Sequence, residues 1–445
     1  MVSIICQAHT NVEILTNLKL YRARTVRGEL RLPGDKSISH RAALIGALAS
    51  GVSKFSNFST AVDCSSTLSC LGQLGVQVER HGNNVWIQGS AEFKKPATVL
   101  DCGNSGSTIR MLAGVLAAQD FVSELSGDSS LNSRPMARII DPLESMGATI
   151  ESTARKPPLV IHGTRAIRPI NYTLPIASAQ VKSAILFAAL SAEGQTQVHE
   201  SSLSRDHTER MFNGFGVEVT TAEDLTVTLN GPGQLIGGDM TIPGDISSAA
   251  YFIAAAALLP QSDLIIHDVG LNPTRSEFIS VLRSCGADIS IGNVREERNE
   301  PMGRIQVKGG IQRSANEAAR YLEKSKIPAL IDELPLLAVV GTQLDGGIEI
   351  RDAGELRHKE TDRLRATAEN LRKMGAEIIE SPDGLVVSGP IQLRGATIDS
   401  YGDHRIAMAF SVAALVADGT TEIVGADCVR ISFPEFFELL KSVTN

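Results

Sequence analysis

The chain has few aromatic residues, no excess of basic residues and no long apolar run. Aromatic side chains make up 4% of the 445 residues, with one tryptophan, so surfaces for stacking single-stranded nucleic acid are scarce. The formal net charge is −8, which argues against a general electrostatic attraction to nucleic acid or anionic membrane. An anionic ligand must therefore be attracted by a local cluster of cations.

The chain also lacks the sequence features of secreted and membrane proteins. None of its six cysteines forms a C-x-x-C pair, which predicts free thiols in a reducing cytoplasm. The longest apolar stretch, 249–259, is shorter than the ~20 residues of a membrane-spanning helix. The first 20 residues have no basic start followed by an apolar run. We expect a cytoplasmic protein with no membrane or nucleic-acid partner.

A Pro-Gly-Asp-x-Ser pattern occurs twice, 210 residues apart, in LPGDKSISHRA (32–42) and IPGDISSAAYF (242–252). Only the first copy carries cations, Lys36 and Arg41 among them. Asp35 is expected to cap a helix whose first N–H groups carry partial positive charge, so these cations predict an anion site. A solvated helix face explains this segment equally well.

A second repeat is built on glycines that follow a helix-like pattern and precede a strand-like pattern. These are Gly75, Gly147, Gly216, Gly286 and Gly375, with successive separations of 72, 69, 70 and 89 residues. Such a glycine ends a helix in the left-handed conformation, and a fixed period indicates one reused α/β unit. With the final helix FPEFFELLKS, the repeat predicts six units, the last completed by an N-terminal strand. Ordinary helix stops are the alternative interpretation.

The 210-residue repeat equals three such units, which divides the six units into two domains. We predict a discontinuous domain of residues 1–33 plus 244–445, holding units 4–6 and the N-terminal strand. An inserted domain, residues 34–243, holds units 1–3. The hinges fall near Pro33 and Pro243, and the substrate cleft is expected between the domains.

Two further segments combine turns with polar groups. In LDCGNSGSTIRMLAGVLA (100–117), Asn104 and Gly106 lie in a glycine-rich turn that can present backbone N–H groups to a phosphate or carboxylate. The segment lacks the nucleotide P-loop pattern, and a plain strand–helix turn is an equal alternative. Arg134 precedes Pro135, which favours a helix start there.

Polar residues also interrupt two strongly apolar runs. Ser178, Ala179 and Gln180 precede an apolar helix, where capping is favoured over binding a ligand hydroxyl. Asp332 lies within IPALIDELPLLAVV, and a carboxylate in such a run is rare unless it is paired or functional. We favour a functional Asp332 over a helix-capping one.

The segments RHKETDRL and GDHRIAM supply the remaining candidates. Lys359 and Arg363 are four residues apart on an expected helix, where like charges indicate an anion between them. A salt-bridged helix surface is an equal alternative. His404 and Arg405 precede another apolar helix, and too few further ligands accompany His404 for a metal site. No metal and no cofactor are therefore expected.

Taken together, the cations near expected helix starts and turns come from both halves of the chain. They are Lys36, Arg41, Arg134, Arg205, Lys359, Arg363 and Arg405. Such a set can converge only in a cleft between domains, where it matches in number the charges of two small substrates that each carry one phosphate and one carboxylate.

In combination, LPGDKSISHRA, DCGNSGSTIR, RHKETDRL and GDHRIAM resemble the 3-phosphoshikimate 1-carboxyvinyltransferase family over almost the whole chain. The resemblance implies the enolpyruvyl transferase fold, an α/β fold of two inside-out domains, each of three βαβαββ-type units. It also implies enolpyruvyl transfer from phosphoenolpyruvate to the 5-hydroxyl of shikimate 3-phosphate, without a cofactor, by a monomer.

The resemblance further implies roles for the candidate residues. Shikimate 3-phosphate would be held by Lys36, Ser37, Arg41, Ser178, Ala179, Gln180, Arg205, Asp332 and Lys359. Phosphoenolpyruvate would be held by Lys36, Asn104, Gly106, Arg134, Gln180, Glu360, Arg363, His404 and Arg405. Asp332 and Glu360 would move protons, and Lys36 would stabilise the intermediate and the departing phosphate.

Ala179, Glu355 and Ile431 depart from some members of the family and are similar to the branch that contains glyphosate-tolerant bacterial enzymes. Tolerant members can carry alanine at the Gly106 position, so Gly106 points the other way. The rivals are a UDP-N-acetylglucosamine enolpyruvyl transferase, an RNA 3′-terminal phosphate cyclase and a non-catalytic repeat protein that binds anions. Phosphate release from the two substrates separates them.

Overall fold

The computed structural model describes residues 17–90, 92–311 and 320–445. Cys6 and the first part of the predicted discontinuous domain lie outside these residues. The described strands form six sheets, five with four strands and one with three. This arrangement confirms the prediction of an α/β fold made of six repeated units.

One unit illustrates the pattern that the others repeat. Strand β6 (Leu100–Asp101) leads into helix α3 (Gly106–Ala117) and strand β7 (Val122–Ser126), which pairs parallel to β6. Helix α5 (Ala137–Ser145) then leads to the hairpin of β8 (Thr149–Thr153) and β9 (Lys156–His162), with β9 antiparallel to both β7 and β8. The unit is therefore βαβαββ, because α3 connects the parallel strands β6 and β7 and α5 leads into the hairpin of β8 and β9.

The other strands of the first half of the chain form two similar sheets. The first contains β3 (Val52–Ser56), β4 (Gln77–His81), β5 (Asn84–Gln88) and β14 (Asp239–Thr241). The second contains β10 (Asn171–Thr173), β11 (Gly194–His199), β12 (Val219–Thr221) and β13 (Thr226–Gly231).

Three more sheets use the second half of the chain and the first strands. One contains β2 (Arg27–Arg31), β15 (Asp263–Gly270), β16 (Asp288–Glu297) and β17 (Glu300–Lys308). The next contains β18 (Tyr321–Leu322), β19 (Ile348–Ile350), β20 (Ile378–Ser381) and β21 (Gly384–Val387). In the three-stranded sheet, β1 (Asn17–Tyr21) pairs antiparallel with β23 (Thr420–Val424), and β22 (Thr397–Asp399) pairs parallel with it.

The five repeat glycines end helices as predicted. Each has a positive φ: Gly75 (85°), Gly147 (111°), Gly216 (93°), Gly286 (89°) and Gly375 (88°). A side chain is strained in this left-handed conformation, so glycine terminates the helix and releases the chain into the following strand.

Six helices are buried within the two halves. They are α1 (Lys36–Leu48), α3, α6 (Ala179–Ala189), α8 (Ile246–Leu258), α11 (Leu334–Gly341) and α13 (His404–Val416). Their sequences are apolar on nearly all faces, which is typical of helices enclosed on every side. Alanine is frequent in α8 and α13, and its small side chain lets neighbouring helices approach closely.

The remaining helices are shorter or lie nearer the surface. They are α2 (Val62–Gln73), α4 (Ser129–Ser133), α7 (His207–Gly214), α9 (Glu277–Ser284), α10 (Ile327–Leu330), α12 (Arg363–Lys373) and α14 (Phe436–Val443). No helix within the described ranges is long and apolar enough to cross a membrane. The cysteines in those ranges, from Cys64 to Cys428, are free thiols.

The two Pro-Gly-Asp segments meet at the crossing between the two halves of the chain. Strand β2 precedes α1 but pairs parallel with β15, whereas β14 precedes α8 but pairs parallel with β3. Gly34 and Gly244 form an antiparallel bridge between the crossing segments. The N–H of Asp35 donates to the Pro243 carbonyl at 2.7 Å. The crossing therefore brings the starts of α1 and α8 side by side.

Buried apolar residues form two cores, one on each side of this crossing. One core contains residues from Ile38 to Ile242, and the other contains residues from Ala23 to Leu32 together with residues from Ile246 to Val443. Full burial of each large aliphatic side chain contributes about 1.5–3 kcal/mol to folding. The site described next lies where helix starts from the two halves face each other.

Candidate active site

The start of α1 carries a partly buried ammonium group. The Asp35 carboxylate caps the helix by accepting the Ile38 N–H at 2.9 Å, which fixes the position of Lys36 at the first helical residue. Lys36 Nζ lies 3.0 Å from Asp63 Oδ2. Burial alone would lower the pKa of Lys36, but the Asp63 carboxylate outweighs burial and raises it. Lys36 is therefore a positive charge at neutral pH.

One turn further along α1, Arg41 is held by three contacts. Its Nε donates to Thr208 Oγ1 at 2.8 Å, its Nη1 to the Ser37 carbonyl at 2.9 Å and its Nη2 to Ser183 Oγ at 2.9 Å. Burial lowers the pKa of Arg41 to about 10, so the group stays protonated near neutral pH. These bonds occupy three of the five guanidinium N–H groups and fix the direction of the other two.

The glycine-rich turn orients Asn104 and starts α3 at Gly106. Ser105 caps the helix by accepting the Thr108 N–H at 3.1 Å. Asn104 donates to Asp128 Oδ2 at 2.7 Å and accepts from Arg134 Nη2 at 3.0 Å. The turn and Arg134 therefore form one hydrogen-bonded group.

The position of Arg134 differs from the sequence-based expectation. It ends α4 with extended backbone, and the next helix begins at Ala137 after Met136. The prediction of a helix start at Pro135 is therefore wrong. The segment contains two short helices, α4 and α5, where the sequence pattern predicted a single helix beginning at Pro135.

Gln180 meets a residue that the sequence analysis missed. Its Oε1 accepts from Arg110 Nη1 at 2.6 Å, and its Nε2 donates to Ser107 Oγ at 2.9 Å. Burial, followed by repulsion from Arg134, lowers the pKa of Arg110 to about 10. The available signal was one arginine in the otherwise apolar helix α3, four residues after Gly106.

Ser178 and Ala179 lie beside Gln180 at the start of α6. Ser178 is the N-cap residue, but its side chain makes no capping hydrogen bond. The favoured interpretation of Ser178 as a side-chain cap is therefore wrong. Its hydroxyl can serve a ligand at this end of the helix instead.

Asp332 gathers cations from both halves of the molecule. Its carboxylate accepts from Arg205 Nη2 and lies 3.2 Å from Arg405 Nη2 and 3.5 Å from Arg363 Nη1. Burial would raise the pKa of Asp332, but the arginines, with Arg405 the strongest, hold it well below its usual range. Asp332 is therefore an ionised carboxylate enclosed by positive charge.

Glu360 shares one of those arginines. Arg363 Nη2 donates to Glu360 Oε2 at 2.6 Å, and Arg363 Nε donates to Asp403 Oδ2 at 2.7 Å. Burial would raise the pKa of Glu360, but Arg363 outweighs it and, aided by Arg134, lowers the pKa well below its usual range. Arg363 thus lies between the two carboxylates that the sequence analysis assigned to proton transfer.

Lys359 is close to this group but not on the helix expected for it. Helix α12 begins at Arg363, and Lys359 follows the short 3-10 turn Gly354–His358. The inference from like charges on one helix face is therefore wrong. Burial lowers the pKa of Lys359, while the nearby Asp332 carboxylate partly opposes this shift.

His404 begins α13 as a buried, neutral imidazole. Asp403 caps the helix by accepting the Arg405 N–H at 2.8 Å. Burial, followed by repulsion from Lys36 and Arg405, holds the pKa of His404 well below its usual range. Neither ring nitrogen hydrogen-bonds within the described part of the chain, so both are available to a ligand.

The candidate residues thus form two linked groups. One is centred on Asp332 with its arginines, and the other on Gln180 with Arg110. The charge of Arg134 helps to lower the pKa of Glu360, which connects the two groups. Within the described ranges, no three His, Cys, Asp or Glu side chains are arranged to hold a metal ion. The combination of clustered cations with ionised carboxylates suits acid–base chemistry on anionic substrates.

Comparison with known structures identifies the class first. The chain is similar to the enolpyruvyl transferase NikO from Streptomyces tendae, with a TM-score of 0.77 over 96% of this chain and 97% of that one. At 18% identity this similarity shows the fold alone. It is the fold expected of the six-unit arrangement with a site between two halves.

Closer similarities identify the family. EPSP synthase from Acinetobacter baumannii has a TM-score of 0.86 and 39% identity, covering 96% of this chain and 98% of that one. The 3-phosphoshikimate 1-carboxyvinyltransferase of Solibacter usitatus is 49% identical, covering 95% and 98% of the two chains. That of Geobacter sp. strain M21 is 46% identical, covering 96% and 99%. Residues 20–440 match the EPSP synthase (3-phosphoshikimate 1-carboxyvinyltransferase) family, and the chain belongs to it.

Proposed function

We propose that this chain transfers the enolpyruvyl group of phosphoenolpyruvate to the 5-hydroxyl of shikimate 3-phosphate and releases phosphate. The observation that carries the proposal is Arg363, which contacts Glu360 at 2.6 Å and Asp332 at 3.5 Å. Addition of a hydroxyl across an enol double bond needs a base at the oxygen and an acid at the carbon. Two carboxylates that contact one cation can provide both groups.

In the addition step, Asp332 takes the proton of the 5-hydroxyl while the oxygen bonds to the carbon of phosphoenolpyruvate that carries the phosphate ester. Glu360 gives a proton to the terminal methylene carbon, which becomes a methyl group in the tetrahedral intermediate. In the elimination step, Glu360 removes a methyl proton as the C–O bond to phosphate breaks, and the proton taken by Asp332 leaves with the phosphate. Lys36 neutralises the departing phosphate.

Glu360 is ionised in the empty site and must be protonated before it can act as an acid. The cause of its low pKa, Arg363 aided by Arg134, suggests how this happens. Both arginines are proposed ligands of phosphoenolpyruvate, whose charge would compensate theirs. Binding of that substrate then raises the pKa of Glu360 towards neutrality.

The proposed ligands divide between the two substrates. Shikimate 3-phosphate is held by Lys36, Ser37, Arg41, Ser178, Ala179, Gln180, Arg205, Asp332 and Lys359. Phosphoenolpyruvate is held by Lys36, Asn104, Gly106, Arg134, Gln180, Glu360, Arg363, His404 and Arg405. The neutral imidazole of His404 can donate a hydrogen bond without adding charge.

The proposed domains are residues 34–243 and residues 1–33 plus 244–445. The pairing of β2 with β15, the pairing of β14 with β3 and the separate apolar cores support this division. Motion about the crossing near Pro33 and Pro243 would open the site, and closure would exclude water from the intermediate. A monomeric, cytoplasmic protein remains a prediction from the sequence.

Glyphosate is proposed to inhibit the enzyme in competition with phosphoenolpyruvate. A methyl group at Gly106 would lie 2.7 Å from Arg110 Nη1 and 3.3 Å from Arg134 Nη1, so glycine keeps this corner of the site open. The sequence likeness to the branch with tolerant enzymes predicts the opposite behaviour. Steady-state inhibition with phosphoenolpyruvate as the varied substrate decides between them.

Phosphate release from the purified chain tests the proposed function. Release that requires both substrates supports it, whereas release only with UDP-N-acetylglucosamine as acceptor would assign the chain to the rival transferase. Glu360→Ala should abolish release and leave calorimetric binding of shikimate 3-phosphate nearly unchanged. Loss of that binding in the variant would contradict the role of Glu360 in proton transfer.

A further inference from the structure

Arg275 is a buried cation to which no role has been assigned. It is 3% exposed and lies beside the crossing of the two Pro-Gly-Asp segments. Its Nη1 is 3.8 Å from Asp35 Oδ2, and its Nη2 is 3.9 Å from Asp245 Oδ1. Because Asp35 caps α1 and Asp245 caps α8, one guanidinium faces both copies of the repeated motif.

A hydrogen-bond relay connects Arg275 to the segment that carries Asp332. Arg275 Nη2 donates to Ser247 Oγ. A guanidinium cannot accept a hydrogen bond, so the Ser247 hydroxyl directs its own hydrogen to Glu333 Oε1. The orientation of all three side chains is thereby determined.

Glu333 is the residue after Asp332 and the N-cap position of α11, where its side chain makes no capping bond. The Ser247 hydroxyl instead donates to its Oε1, and Arg405 Nη1 lies 3.8 Å from the same oxygen. Arg405 Nη1 also donates to the Asp332 carbonyl at 3.2 Å. The backbone at Asp332 is thus fixed between the relay and Arg405.

We propose that Arg275 is a positioning residue for the reaction, which ties the start of α1 to the Asp332–Glu333 turn through Ser247. The distance and orientation between Lys36 on α1 and Asp332 in this turn are then fixed where both face the substrates. The inference rests on the proposed function, because those two groups act there on the same bound substrates. Arg275 itself is remote from the substrates and acts through its neighbours.

The charges around Arg275 explain why a cation is needed there. Asp35 and Glu333 are buried and Asp245 is partly buried, and without a compensating cation these carboxylates repel one another and favour protonation or separation. Within the described residues, Nε and Nη1 of Arg275 have no hydrogen-bond partner. The orientation of Arg275 therefore depends on its single hydrogen bond to Ser247. Substitution of Ser247 is the most direct way to break the relay.

The test compares Ser247→Ala, Arg275→Gln and Arg275→Lys in the full-length chain, with kcat and both KM values measured. Arg275→Gln should lower kcat about tenfold or more and raise each KM less than about threefold, because reacting groups are displaced while most ligand contacts remain. Arg275→Lys should recover part of kcat.

Ser247→Ala should lower kcat about threefold at an unchanged unfolding midpoint. Adding it to Arg275→Gln should cause little further loss of kcat. Arg283→Gln, an exposed arginine on α9, is the matched control.

Parental kcat in Ser247→Ala and Arg275→Gln overturns the inference. So does a rise in KM alone, or losses that multiply in the double variant. If Arg275→Gln does not fold, Ser247→Ala decides the question by itself. A parent protein that releases no phosphate would refute the proposed function, whereas an active parent with unaffected variants refutes only the role of Arg275.

Discussion

The substitution Gly106→Ala tests how closely the glycine-rich turn and two arginines are packed. The new Cβ would lie 2.7 Å from Arg110 Nη1 and 3.3 Å from Arg134 Nη1. Gly106 is the first residue of α3 with Ser105 as its cap, so the helix itself accommodates alanine. The strain therefore falls on the arginine side chains.

Ordinary contact requires at least 3.4 Å, so Arg110 Nη1 must move by the difference from 2.7 Å. That movement stretches its 2.6 Å bond to Gln180 Oε1 and shifts Arg134, the proposed ligand of phosphoenolpyruvate. Loss of one hydrogen bond to a charged group costs about 1.5–3 kcal/mol. The KM for phosphoenolpyruvate should rise by roughly one to two powers of ten.

Steady-state kinetics with each substrate varied in turn measures this effect. The KM for shikimate 3-phosphate should change less than about threefold, because its proposed ligands other than Gln180 lie away from the new methyl group. Gly72→Ala is the matched control, since its added Cβ meets nothing within 4 Å on α2. An unchanged KM for phosphoenolpyruvate in Gly106→Ala would refute the packing argument.

Three further predictions follow from buried charges. Lys182 Nζ lies 2.6 Å from both Glu200 and Glu209, so Lys182→Met should cost about 3–5 kcal/mol in urea unfolding; parental stability would show that the triad is dispensable. Burial lowers the pKa of His40 to about 3, so the unfolded chain binds this proton more readily between pH ~6.5 and ~3. Stability therefore falls as the pH drops through this window, by up to about 1.4 kcal/mol per unit, and His40→Asn should flatten the unfolding-versus-pH curve relative to the parent. Asp332→Asn should lower kcat by about 10²–10⁴-fold, and a kcat near the parental value would remove Asp332 as the base.

The repeated architecture was predictable because its signals are local. The helix-ending glycines and the period near 70 residues lie in the sequence, and all five glycines have the left-handed backbone expected of them. The caps Asp35 and Asp403 were also predictable, since each lies at most three residues before the N–H that it accepts. Short-range chemistry of this kind depends little on the rest of the fold.

The errors arose where the local sequence pattern did not decide the contacts of a residue. Ser178 was expected to cap α6 but makes no capping bond, and Lys359 was expected on a helix that begins only at Arg363. Arg110 was missed because its partner Gln180 is 70 residues away. Lys182 was missed likewise, since its carboxylate partners lie on other elements. No local pattern reports such pairs.

The sequence by itself determined the repeat, the cap of α1 at Asp35 and the types of side chain available for chemistry, because these depend on neighbours within a few residues. Only the tertiary structure decided that β2 pairs with β15 and β14 with β3, and that Arg205 reaches Asp332 across 127 residues of chain. The physical reason is that both depend on packing between distant segments. Packing of those segments also sets pKa values that isolated side chains would not have, because neighbouring arginines lower those of Asp332 and Glu360 and burial lowers that of His404.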